Sequence, residues 1–230
     1  MITEYSQIQE LFVELDAHMS ERTTIYMIGG GALMRWKMKP QTKDIDIVVD
    51  SEAEFDRTED AFRAAGFKTT LPTKGYERLA ISQILMRDDF RVDLFCTKVC
   101  GRLSLSEGMK ERSAIDSIGA KNIYLFTCSP EDIFLFKTMT EREGDYDDCV
   151  NIINSTISNK KVFKWPVILN EAREQSKIGQ EVWITWITDR LEEFTDRGLN
   201  IPILAEMIPL ADEYIAEWER GLLSRNPEQA

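Results

Sequence analysis

The chain has 230 residues, 43% hydrophobic and 30% charged, enough for one large domain or two small ones around a substantial core. A net charge of −12 disfavours broad nucleic-acid binding, which draws on a basic face, and suits a small or protein-sized acceptor better. No apolar run approaches the roughly 20 residues that cross a bilayer. The single histidine and the unclustered cysteines Cys96, Cys100, Cys128 and Cys149 exclude histidine triads and zinc spacings. With no secretory pattern at the N-terminus, the expectation is a cytoplasmic protein with reduced thiols and no membrane partner.

In chain order, residues 4–20 read as an amphipathic helix on Ile8, Leu11, Phe12 and Leu15, which leaves His18 a surface or packing role. Thr23 to Ile28 reads as a short buried strand running into Gly29-Gly30-Gly31, and a helix is expected over Gly31 to Trp36. Pro40 and Thr42 precede a strand over 44–49. Ser51 then caps a helix, with Glu54 in capping-box position and Gly66 as its stop. Strands are expected at 67–70, 78–86, 90–96 and 122–126. Ser129-Pro130-Glu131-Asp132 is a helix start: a capping serine, proline at the first position, then acids in the first turn. A helix from Asp145 to about Ile157 follows, then helical segments near 161–176, 180–197 and 202–222. The expected fold is α+β, a mixed β-sheet flanked by helices in residues 1–128, followed by a helical half in residues 129–230.

The chemistry gathers at Asp44-Ile45-Asp46-Ile47-Val48-Val49. Alternation along a strand puts Asp44 and Asp46 on one face and Ile45, Ile47 and Val49 on the other, so neither acid can turn away from its neighbour. Two adjacent carboxylates repel unless a cation lies between them, and Asp93, in the strand Phe90 to Cys96, is the natural third acid. Three carboxylates on adjacent strands would hold one or two Mg²⁺ ions, which prefer oxygen ligands and keep waters and substrate phosphates. The bare amides of Gly29, Gly30 and Gly31 would receive the phosphates. Lys137 is a charge on an otherwise apolar helix face, between Phe136 and Met139, and calls for an anionic partner such as a triphosphate or Asp147.

The pattern Gly29-Gly30-Gly31-Ala32-Leu33, Arg35, Thr42-Lys43-Asp44-Ile45-Asp46-Ile47-Val48 resembles the nucleotidyltransferases of the DNA polymerase β superfamily. Within that group it is most similar to the AbiEii type, which includes toxins of bacterial toxin–antitoxin pairs. The resemblance spans roughly residues 22–155. It implies transfer of a nucleoside monophosphate from an NTP, with loss of pyrophosphate, on Mg²⁺ held by Asp44 and Asp46, with Asp93 as third ligand or base. It implies nucleotide contacts from Gly29, Gly30, Gly31, Arg35, Thr42, Lys43, Lys137 and Arg142, and a role for Asp147 or Asp148 in positioning the acceptor. The chain departs from the pattern in two places. Gly30 stands where many members have serine, and Arg91, two residues before Asp93, stands where a second acid sometimes occurs.

The alternative is a catalytically weak or inactive module of the same fold that acts through a partner protein. Adjacent like charges argue against it, since a dead site has no need of them. The acceptor (RNA, protein or small molecule) is not written in the helical half. Trp165, Trp183, Trp186 and Trp218 fall at helical spacing and read as core or interface rather than as base-stacking platforms.

Overall fold

The computed structural model describes residues 1–70, 83–158, 162–177 and 183–221. Two compact units divide the chain, Met1–Phe136 and Lys137–Ala230. In chain order the first holds α1 (Tyr5–Asp16), β1 (Thr23–Ile28), α2 (Gly29–Arg35), β2 (Ile45–Val49), α3 (Glu52–Ala64), β3 (Lys68–Thr70), β4 (Gln83–Arg87) and β5 (Phe90–Cys96). It continues with β6 (Lys98–Val99), β7 (Leu103–Ser104), α4 (Glu107–Arg112), β8 (Ala114–Ile115) and β9 (Ile123–Thr127). Then come α5 (Pro130–Thr138), in which the two units divide, and α6 (Glu143–Ser158), α7 (Trp165–Lys177), α8 (Trp183–Asp196) and α9 (Leu204–Glu219). The fold is α+β, with a mixed sheet, flanking helices and a helical C-terminal half.

Among the described residues seven strands form the main sheet, in the order β3-β4-β5-β2-β1-β9-β8. At its centre β2 runs antiparallel to β1 and parallel to β5, while β1 runs parallel to β9. Centrality explains the composition of β2. Ile45, Ile47, Val48 and Val49 are all buried, as the apolar run of a strand covered on both faces requires, and Asp46 alone is half-buried. The edge strand β3 is exposed along its length. Burial of Ile8, Leu11, Phe12 and Leu15 makes α1 amphipathic, and α1 packs on α2 and α3. The Ser51 hydroxyl accepts from the Glu54 amide and caps α3, whose Phe62 meets Phe67 edge-on beyond the Gly66 stop.

Several boundaries differ from those read in the sequence. The α2 helix begins at Gly29 rather than Gly31, because the chain turns at Gly29 with φ +61° and coils at once. Asp44 lies just before β2. Of the strand expected at 78–86, residues 83–86 are in β4 and 78–82 lie outside the described residues. Short elements β6, β7, α4 and β8 fill a stretch that carried no clear period. The units divide at 136/137, against the expected 128/129. The start of α5 is tied to the first unit: Arg112 grips Asp132 at 2.6 Å, and the Ser129 hydroxyl accepts from the Asp132 amide at 3.2 Å.

In the second unit α7, α8 and α9 pack through Ile168, Ala172, Ile184, Ile187, Leu191, Phe194, Met207 and Ala211. The Trp186 indole donates to the Thr138 carbonyl at 2.8 Å. Trp218 is exposed rather than core. His18 lies past the end of α1 and is exposed, as a surface role requires.

Candidate active site

Where β1 ends, its last residue Ile28 pairs with Asp46 of β2, so the glycine turn begins beside that carboxylate. A Cβ on Gly29 would lie 2.0 Å from Asp46 Oδ2, and one on Gly30 would lie 2.2 Å from Thr42 Oγ1. A Cβ on Gly31 would lie 3.1 Å from Met27 Sδ. Backbone and carboxylate therefore approach more closely than any side chain allows, and the positive φ at Gly29 adds a second reason for glycine there. All three glycines are buried, and Ile28, the residue that caps α2, has no side-chain acceptor for the first amides of that helix.

Thr42 sets the approach to β2. Its backbone pairs with Ile2 in both directions, at 2.9 and 3.0 Å, and its hydroxyl donates to the Asp44 carbonyl at 3.0 Å and lies 3.5 Å from Asp44 Oδ1. Asp44 and Asp46 are half-buried, and Lys43 between Thr42 and Asp44 is exposed. Hard oxygen donors on a backbone this bare suit Mg²⁺, which takes one or two carboxylates and completes its shell with water and phosphate oxygens.

Asp93 lies directly across from Asp46 in the parallel β2–β5 pairing and is 2% exposed. Its carboxylate is engaged by Arg91 on the same face of β5, with Nε 2.7 Å from Oδ1 and Nη2 2.8 Å from Oδ2. Two parallel bonds of this length are the strong, geometrically exacting form of an ion pair. Among the described residues no three Asp, Glu, His or Cys side chains are grouped as a metal cage would be. Asp44 and Asp46 are half-buried oxygen donors that could hold a metal, and the Asp93 carboxylate is paired with Arg91. The sequence carried the signal for this in the two-residue spacing of Arg91 and Asp93, which puts both on one side of a strand.

Arg35 is engaged by Ile115, Asp116 and Trp36. Its Nη2 donates to the Ile115 carbonyl at 3.1 Å, its Nε lies 3.9 Å from Asp116, and its guanidinium stacks 4.9 Å from the Trp36 ring. Tyr5 also donates to Asp116, and burial, then that carboxylate, pushes its phenol well above the ordinary value. The Trp36 indole donates to the Cys128 carbonyl at 2.8 Å. This cluster joins α1, α2, β8 and β9 and braces the helix that follows the glycines.

Within the second unit, Lys137 is 9% exposed and meets Asp145 at 2.7 Å and Asp148 at 2.9 Å. Arg142 donates to Asp145 through Nε at 2.7 Å, and the Thr140 hydroxyl donates to the same carboxylate. Burial would raise the Asp145 carboxyl, but Lys137 and Arg142 outweigh it and hold it below the usual range. The anion that Lys137 required is therefore a pair of acids of α6, one turn apart on one face. Asp147 is exposed on that helix, and Asp145, which Lys137, Thr140 and Arg142 all meet, was missed because it reads as an ordinary first-turn acid.

No curated protein matches the sequence. Among solved structures, that of ANT(2″)-Ia in complex with adenylyl-2″-tobramycin is similar at a TM-score of 0.44 and 12% identity, over 67% of this chain and 92% of that one. The family described as nucleotidyltransferase of unknown function (DUF6036) matches residues 4–180, most of the chain and all of the glycine turn, β2 and β5. The chain belongs to this family and is an enzyme of the nucleotidyl-transferring class.

Proposed function

We propose that the chain moves a nucleoside monophosphate from an NTP to a hydroxyl acceptor, with Mg²⁺ held by Asp44 and Asp46. The observation that carries this reading is the close approach of the glycine turn to the Asp46 carboxylate, where a Cβ at Gly29 would lie 2.0 Å from Oδ2. A merely structural turn has no need to bring bare backbone against an acid. A nucleotidyl-transfer site needs both together, amides for phosphate oxygens and a carboxylate for the cation that neutralises them.

Each residue then has a part. The amides of Gly29 to Gly31 receive phosphate oxygens, and Thr42 orients Asp44 through its hydroxyl. Lys43, exposed beside Asp44, meets the incoming polyphosphate. Bound Mg²⁺ would supply charge stabilisation at the α-phosphorus while pyrophosphate leaves. Arg35 acts indirectly, by bracing α2. Lys137 and Arg142 act on the Asp145 and Asp148 carboxylates and organise the start of α6 rather than meeting phosphate themselves.

The net charge of −12 favours a protein or small-molecule acceptor over RNA. The AbiEii-like glycine and aspartate pattern supports a toxin–antitoxin or defence setting, with a partner protein. The test is incubation with each α-labelled NTP, Mg²⁺ and a cell extract. The expected result is a labelled acceptor that disappears in the Asp44→Ala/Asp46→Ala variant. Label that persists in that variant would refute the assigned site. Absence of Mg²⁺–NTP binding by the unmodified chain in calorimetry would instead favour a binding module that acts through its partner protein.

A further inference from the structure

Asp46, Asp93 and Arg91 lie on one face of the central strands, and Asp44 and Arg91 immediately precede the first β2–β5 pair, Ile45 with Val92. Two carboxylates on adjacent strands, and a third just before β2, therefore share their ground with one guanidinium. Arginine stays protonated at every accessible pH, so this positive charge is permanent. With it, the three acids carry a net charge of two negatives, which a single divalent cation balances.

Geometry points the same way as charge. Both oxygens of Asp93 already accept from Arg91, at 2.7 and 2.8 Å. A cation using Asp93 would have to displace a bidentate pair whose acid is 3% exposed in its side chain and whose arginine is 19% exposed. It would also have to do so against the repulsion of the guanidinium. Resting on the Mg²⁺–NTP reading above, we propose that Arg91 takes the place of a second divalent cation. The site then holds a single ion, at Asp44 and Asp46, and Asp93 is a positioning residue that fixes Arg91. The guanidinium is left on the same face as Asp46, where it adds positive charge toward a bound polyphosphate without a further metal ligand.

The test counts ions rather than turnover. Mn²⁺ replaces Mg²⁺, the α,β-methylene analogue of each NTP blocks transfer, and bound Mn²⁺ per bound nucleotide is read by electron paramagnetic resonance after equilibrium dialysis. The expected ratio is one for the unmodified chain. It should remain one in Arg91→Lys, which keeps the charge, and rise to two in Arg91→Met, which leaves the buried Asp93 to recruit a cation. In Arg91→Met alone, Mn²⁺ should then raise the melting temperature further than it does in the unmodified chain. Should Arg91→Met not fold, Asp93→Asn decides the matter: one ion retained with unaltered affinity supports the proposal, and loss of the ion overturns it. Two ions in the unmodified chain would overturn the one-ion proposal and leave the nucleotidyl-transfer reading standing. Failure to bind any of the analogues with Mn²⁺ would overturn both.

Discussion

Replacing Gly29 with alanine separates backbone strain from the chemistry of the turn. At φ +61° an L-residue costs about 1–2 kcal/mol. The added methyl would also stand 2.0 Å from Asp46 Oδ2 and 2.8 Å from its Cγ, so the carboxylate must retreat by about 1.4 Å to reach ordinary contact at 3.4 Å. A displacement of about 1 Å at a reacting centre costs on the order of 10²-fold in rate. Gly119 supplies the control, with φ +76° and nothing within 4 Å of its added Cβ. Gly119→Ala should lose about 1–2 kcal/mol of stability and keep its activity, whereas Gly29→Ala should lose at least as much stability and about 10²-fold of its transfer rate. Urea denaturation and incorporation of α-labelled NTP, on both variants, make the comparison. Gly29→Ala that labels acceptor as fast as Gly119→Ala would remove Asp46 from the mechanism.

The second unit offers a stability test: Lys137→Met leaves Asp145 and Asp148 without their shared ammonium and should cost about 3–5 kcal/mol in denaturant unfolding. Recovery of part of that loss in Lys137→Met/Asp148→Asn is expected, and no loss at all would mean the pair is solvated. Because the Asp145 carboxyl is held low in the folded state, its contribution is fully present above the unfolded value of about 3.9 and is lost as pH falls through the folded value. Asp145→Asn should therefore flatten the fall in urea midpoint between about pH 4 and pH 2, and an unchanged slope would assign the acid sensitivity elsewhere. Burial pushes the Cys128 thiol up to about 12 and raises that of Cys149 well above its ordinary value. Neither should react with a disulfide reagent in the folded protein at neutral pH. Rapid modification of Cys128→Ser or Cys149→Ser at the remaining buried thiol would contradict the packing of that residue.

Much of this fold is legible because local signals and tertiary burial agree. The four apolar residues of α1, the Ser51 cap and the Ser129 start each belong to one element, and their spacing states what they do. The glycine turn and the strand of Asp46 are legible because β1 and β2, consecutive in the chain, also pair side by side. Legibility fails in the stretch after β5, where two-residue strands and a one-and-a-half-turn helix are too short to show a period. It fails again at α5, where a helix that begins in one compact unit and ends in the other gives no change of composition at the boundary.

Two charged residues, Asp93 and Lys137, show where spacing stops informing. By sequence Asp93 reads as a third metal ligand, since its strand suits a place beside that of Asp46, and the β2–β5 register does set the two side by side. Its chemistry is decided by a residue two positions earlier on its own strand. An arginine reaches back along the strand face to a carboxylate, and a second acid at the same position would have left that carboxylate for a cation. Lys137 is the converse case. Its need for an anion follows from the apolar helix around it, but the identity of the anion depends on how α6 turns after Arg142, and that turn presents Asp145 and Asp148 while sending Asp147 to solvent. A charge in an apolar setting predicts that a counter-charge exists. Which residue provides it is settled by backbone geometry. The same logic makes Arg91, rather than any of the acids, the residue whose replacement reports most directly on how many cations this face accepts.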